Sequence, residues 1–314
     1  MIRIVLSRLA LAIPVLFIMT VLTYALASLV PGNAATTILG ENATPERIAR
    51  LNQQLGFDKS LASQYWQWLR HLFQGDLGTS LYSGQSITRI ISDRFGPTLS
   101  IAVLATVIST LVGVTFGVYA AVRRGWAARA IDSVSMIGVS LPNFWVALLL
   151  ISLFTARLHV LPAVGYTRPD QSFSGWIEHL IMPVIALSIA GIALIARQAR
   201  QAMSEALSRD FMRFMQANGV PRRRLIFKYG LRYCATPIVA ATSTTFVTHV
   251  GGTVVLESVF AIPGMGSLVA TATLNHDLSA IQGAVLVFTV VILAVNLLSD
   301  IVYALLNPKV RARQ

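Results

Sequence analysis

The chain has 314 residues, 55% of them hydrophobic and 12% charged, with a formal net charge of +12. A soluble globule carries roughly a quarter of its residues charged, so this composition excludes one and points to an all-α polytopic membrane protein. Cys234 is the single cysteine, which excludes an internal disulfide or a cysteine-based metal cluster and leaves that residue a bystander.

A membrane-crossing helix needs about 20 mostly apolar residues, and six stretches qualify: 9–30, 98–122, 134–157, 180–197, 236–257 and 281–306. Lys and Arg beside a span stay in the cytoplasm. With the N-terminus inside, the cytoplasmic connectors hold 17 of the 25 basic residues, so six spans with both termini in the cytoplasm is the self-consistent arrangement. The basic residues sit in short connectors without an aromatic platform, so no nucleic-acid partner is expected.

The first stretch follows Arg3 and Arg8 and contains "ALAS" at 25–28, which imitates a secretory leader. Its apolar run is longer than the about 7–15 residues of a leader's core, so a retained first helix over 1–30 is expected. Residues 31–97 are too long for a bare loop and read as a small helical insertion outside the membrane. There "TPERIARLNQQLG" offers Thr44 as cap, Pro45 at the first helical position, Ile48, Leu51 and Leu55 at helical spacing, and Gly56 as stop. "SLASQYWQWLRHLF" repeats the design with Leu61, Tyr65, Trp68, Leu69 and Leu72 on one face. Its aromatics suit either the membrane interface or a partner protein.

The second span carries Gly113 and Gly117 at the spacing that lets helices approach closely in lipid. Pro142 is expected to bend or break the third span, and such breaks either line a cavity or serve packing. The fourth span keeps its periodicity beyond the apolar run, through Arg197, Arg200, Glu205 and Arg209, so its helix is expected to run on into the cytoplasm; Glu205 and Arg209 stand four apart in the favourable order for a helical ion pair.

The connector that follows, "SRDFMRFMQANGVPRRRLIFKYGLRYCATP" at 208–237, is dense in Lys and Arg. Its first part reads as a short amphipathic helix, capped by Ser208, with Asp210 in the first turn and Gly219 as stop. Phe211, Phe214 and Met215 form an apolar patch that no span covers if the helix lies in the cytoplasm, so either lipid or a partner's groove must receive it. A Gly–Val–Pro turn and a second basic helix then lead into the fifth span, a rigid arrangement suited to transmitting force.

Several chemistries lack their residues. The lysines, Lys59, Lys228 and Lys309, follow Asp, Phe and Pro, so no Gly-Lys phosphate loop exists. The histidines His71, His159, His179, His249 and His276 show no paired metal-ligand spacing, and neither metal nor cofactor is expected. An intramembrane serine protease would need Ser140, in "GVSL", and His249 at one depth, and the helix register places them about 20 Å apart in depth. His249 itself suits either a lined path or a backbone group at a helix crossing. A secondary carrier would show inverted repeats or several buried acids, and Asp300 is the only acid read as lying well inside a span.

The segment "EALSRDFMRFMQANGVPRRRLIFKYGLRYCATPIV" resembles the EAA loop of bacterial ABC-importer permeases, with Glu205, Gly219 and Pro237 at its marked positions. "GDLGTSLYSGQSITRIISDRFGPTL", "ESVFAIPGMGSLVATATLNHDLSAIQG" and "LLSDIVYALLNPKVR" resemble the B-type subunit of the dipeptide/oligopeptide/nickel transport family. The chain departs from that family's pattern at Phe214 and Met215, where small residues are usual, and at Pro31–Gly32–Asn33, where Pro-Gly-Asp is common.

The resemblance implies a type I ABC-importer transmembrane fold in the bacterial inner membrane, with a permease core at 98–314 and an EAA loop at about 204–237. It implies no catalytic site in this chain. ATP and Mg would be bound by two partner ATPase subunits, coupled through a helix at 208–219 by Glu205, Asp210, Phe211, Phe214, Met215 and Gly219. A homologous second permease and an extracytoplasmic binding protein are the other implied partners. Di- or oligopeptides are the implied cargo, with nickel, glutathione or another small solute as the alternative, and His249 and Pro142 are the candidate path residues.

Overall fold

The computed structural model describes residues 2–29, 32, 34–123, 131, 133, 135–138 and 140–306. Among them all regular structure is helical apart from one isolated antiparallel bridge, Thr79 to Ser86. Five helices are long and apolar enough to cross a membrane: Val5–Ser28, Ile87–Val122, Phe173–Ser208, Arg222–Val259 and Leu278–Leu306. They overrun the expected apolar cores. The 36 residues of Phe173–Ser208 extend about 54 Å at 1.5 Å per residue, well beyond a hydrocarbon core of about 30 Å.

The third expected span is interrupted where Pro142 stands. The preceding helical turn closes with Leu141 N donating to Ile137 O at 3.1 Å. Pro142 is extended (φ −63°, ψ 133°) and opens the helix Asn143–Leu150; its ring disfavours α geometry in the residue before it and it has no N–H to donate to the preceding turn. The helix then widens to π geometry over Ile151–Arg157. Pro31 and Asn33, residues 124–130 and the closing Asn307–Gln314 lie outside the described residues.

The insertion is helical, as Ala34–Leu39, a 3-10 turn Gly40–Asn42, Pro45–Leu55 and Leu61–Phe73. Thr44 caps the third of these, accepting from Arg47 N, and Gly56 ends it at φ +73°. Ser60 caps the last, accepting from Ser63 N. Tyr65, Trp68, Leu69 and Leu72 are half-buried as expected, whereas Leu61 is exposed. Leu61 is the helix's first residue and projects off the end of the buried stripe.

By contacts the chain divides into two units, Leu99–Ile262 with Met1–Val5 and Val295–Gln314, and Leu6–Thr98 with Pro263–Ala294. In the first, one apolar cluster gathers Ile101, Ala147, Leu187 and Leu256, and a second gathers Val118, Met203, Leu225 and Ile226. The expected glycine pair makes the close helix crossing: a Cβ on Gly113 would stand 2.9 Å from Ile192 O, and one on Gly117 would collide with Ala196 O. In the second unit Ile87, Ile91, Met265 and Ile281 form the core. Thr98 Oγ1 accepts from Met265 N at 2.7 Å, and Ser80 Oγ donates to Asp277 Oδ2 at 2.5 Å.

Candidate functional site

The connector forms a helix, a turn and a second helix. After Phe173–Ser208 the backbone extends at Arg209 (φ −68°, ψ 145°), and the short helix Asp210–Ala217 begins. Ser208 is therefore not its cap; it closes the preceding helix, its Oγ donating to Glu205 O at 2.8 Å. Asp210, in the first turn, is favourably placed toward the helix N-terminus. The other end stops where the glycine predicts. Gly219 takes φ +80°, its N–H donates to Gln216 O, and Val220 N donates to Met215 O, both at 3.1 Å. This paired closure is a Schellman motif, which needs a left-handed residue at the glycine position.

The apolar patch is split rather than continuous. Met212 is buried (2% exposed) and Met215 half-buried against Met203, Ala206, Leu225 and Ile226, while Phe211 and Phe214 are 44% and 70% exposed. Met215 thus faces this chain's own core. Met212, which sequence reasoning missed, is the anchor; its i, i+3 spacing with Met215 was the available signal.

Polar contacts tie the connector to three long helices. Arg209 pairs with Glu205, and this hydrogen bond, with a second contribution from Tyr233, raises the guanidinium pKa above its ordinary value. Tyr233, on the helix entering the fifth span, donates its hydroxyl to Glu205 Oε1 at 3.0 Å. Its ring lies 6.3 Å from Phe211 and 5.8 Å from the Arg209 guanidinium. Arg222 donates to Val122 O at 3.3 Å, satisfying a C-terminal carbonyl of Ile87–Val122. The second helix starts at Arg222, swells to π geometry over Leu225–Gly230 and continues to Val259. Gly230 lets this helix approach Phe173–Ser208 closely, since a Cβ there would lie 2.8 Å from Met203 Sδ.

The two candidate path residues sit elsewhere. Pro142 opens a helix, as described. His249 is 3% exposed at the crossing of three helices; its Nδ1 is 3.0 Å from Thr106 Oγ1. Its Nε2 faces the Leu187 backbone without an aligned hydrogen bond, and a Cβ on Gly191 would come within 2.8 Å of it. Around it Ser109 Oγ donates to Ser188 O at 3.1 Å, and Thr110 and Thr242 hydroxyls lie 3.2 Å apart. Ser140 is exposed and donates to Met136 O within its own helix. Neither partner of the serine–histidine pair is turned to the other's chemistry. Glu257, fully buried near the end of the fifth span, is an enclosed acid that the sequence reading passed over, whereas Asp300 is only half-buried. Among the described residues no group of three His, Cys, Asp or Glu could hold a metal ion.

The fold and connector define the class: a multi-span helical membrane protein whose connector forms a helix–turn–helix with Phe214 exposed. Comparison with known proteins then gives the family. Residues 113–312 match the binding-protein-dependent transport system inner membrane component family, and residues 1–102 match the N-terminal model of the same transport-system membrane components; the chain belongs to this family. A Brucella abortus protein named as a peptide transport system permease is 36% identical over 312 residues, 99% of each chain. So is a glutathione transport system permease protein of Salmonella typhi, at the same coverage. A chain of the MetNI methionine ABC transporter in an inward-facing conformation superposes with a TM-score of 0.59 at 16% identity, covering 70% of this chain and 97% of that one. The fold is that of a type I ABC-importer transmembrane domain, and the chain is a multi-pass permease subunit of the bacterial inner membrane.

Proposed function

We propose that this permease carries di- or oligopeptides and contains no catalytic centre of its own, taking its energy from two separate ATPase subunits, one of which grips it at Asp210–Ala217. The observation that carries the coupling role is the division of that helix. Met212 and Met215 hold it to the permease, leaving Phe214, and the exposed edge of Phe211 that packs beside Tyr233, to enter a partner's groove. A homologous permease would complete the path and an extracytoplasmic binding protein would deliver cargo. ATP would shift the populations of inward- and outward-open states, and the connector would carry that motion into the fifth span.

Peptide cargo rests on the relatives' names, and the glutathione relatives favour a tripeptide as the second reading. The test is uptake of a labelled dipeptide into vesicles holding the assembled complex, with ATP on the cytoplasmic side. Phe214→Asp is expected to abolish uptake while leaving membrane insertion intact, and full uptake would overturn the coupling role. Competition by unlabelled glutathione, or its absence, decides between the two cargoes.

A further inference from the structure

The insertion helix Leu61–Phe73 does not stand clear of the first membrane helix. The Tyr65 hydroxyl lies 3.0 Å from Thr20 Oγ1, and the Tyr65 ring packs edge-on against Phe17 and Tyr24 at 6.4 and 5.5 Å between centroids. One residue earlier, Gln64 Oε1 accepts from the Tyr24 hydroxyl at 3.0 Å. Gln282 of the last helix donates to Thr20 O at 3.0 Å and fixes the same level from the other side.

That level can be placed. Residues 9–29 contain no charged side chain. Apart from Ser28, whose hydroxyl bonds back to Ala25 O, the outward side chains toward the end of this helix and just past it are apolar, with Leu22, Leu26 and Leu29 exposed at 48%, 61% and 75%. In a membrane protein such a surface is covered by lipid. Thr20 precedes Leu29 by nine residues, about 13 Å at 1.5 Å per residue, against a hydrocarbon half-thickness of about 15 Å. Tyr65 therefore reaches a depth inside the bilayer.

The flank of Leu61–Phe73, about a quarter turn round from Tyr65, shows what lies around it. Trp66 and Phe73, two turns apart on one side, are 52% and 83% exposed, and the Arg70 guanidinium lies 5.9 Å from the Trp66 ring centroid. An indole beside a long cation is the pattern of the headgroup boundary, where Trp settles and Arg reaches up to phosphate. Phe17 of the first span, which packs against the neighbouring Tyr65, is itself 51% exposed. We propose that the Leu61–Phe73 helix lies in the outer leaflet, with Trp66 and Phe73 seated in lipid at the headgroup–acyl boundary and Tyr65 pinning it to the first span. The insertion is thus partly a membrane element. The choice of leaflet rests on the orientation with both termini inside.

The test uses the assembled complex in lipid vesicles. The emission lost on Trp66→Phe, a single conservative change, isolates the Trp66 signal. That signal is expected to be quenched most by phosphatidylcholine brominated near the headgroup end of the chain, and less by bromine at the chain end. In a Cys234→Ser background, Trp66→Cys should react with an impermeant maleimide an order of magnitude more slowly than Glu46→Cys on the same insertion. Equal labelling of the two would overturn the proposal, and so would protection without bromine quenching, which would mean that a protein covers this face. Labelling of Glu46→Cys from the cytoplasmic side alone would instead refute the orientation.

Discussion

Met212→Ala separates the anchor of the proposed coupling helix from its contact surface. Met212 is 2% exposed among Met203, Ala206, Leu225 and Ile226. Truncating a methionine in such a site costs about 2–5 kcal/mol. An eight-residue helix has no stability of its own in water, so this loss falls directly on the equilibrium between docked and undocked Asp210–Ala217. Even the low end, about 2 kcal/mol, multiplies the open population about 30-fold. Phe214 is 70% exposed, and its replacement by Ala should change chain stability by no more than about 0.5 kcal/mol. Hydrogen exchange on the permease in detergent reads the difference: amides of 212–220 should exchange about 30-fold faster or more in Met212→Ala and nearly unchanged in Phe214→Ala. Both variants should lose ATP-driven uptake, the first through a displaced helix and the second through a missing contact. Unchanged exchange in Met212→Ala would refute the anchoring argument.

Gly219→Val should fray the same helix, because its φ of +80° is strained for a β-branched residue, while Gly219→Asn should be milder; space is open there, so exchange at 216–220 reports backbone strain of about 1–2 kcal/mol alone. Gly117→Leu should force the second and fourth spans apart at Ala196 O, lowering the thermal midpoint in detergent by an amount equivalent to about 1–3 kcal/mol, whereas Gly251→Ala, with no atom near its Cβ, should be tolerated. Thr106→Val removes the partner of His249 Nδ1 and should destabilise by about 1–3 kcal/mol. Adding His249→Leu should recover part of that loss if the histidine serves packing, and the uptake of the double variant shows whether His249 also lines the path.

The amphipathic insertion helices were legible because their caps are local: Thr44, Pro45 and Gly56 act on backbone groups within four residues. The same holds for the stop at Gly219 and the break at Pro142. The predicted cap at Ser208 failed because Ser208 is the last residue of the fourth span's helix, and Arg209, expected to continue that helix, took the extended cap backbone instead. The π-helical stretch over Leu225–Gly230 left no periodic signature in a segment as basic as "RRRLIFKYG".

Apolar runs and the placement of Lys and Arg by themselves determine a helical chain that crosses a membrane several times, since lipid tolerates neither unpaired backbone nor uncompensated charge. The connector's sequence likewise determines an amphipathic helix with a glycine stop. Which side of that helix faces home was a tertiary decision. Met212 and Met215 turn inward because the groove formed by Met203, Ala206, Leu225 and Ile226 lies on that side, and those residues come from helices that meet only on folding. Only the tertiary structure could likewise bring Tyr65 to Thr20, 45 residues away in the chain, since pairing across such a separation is set by packing and not by local periodicity.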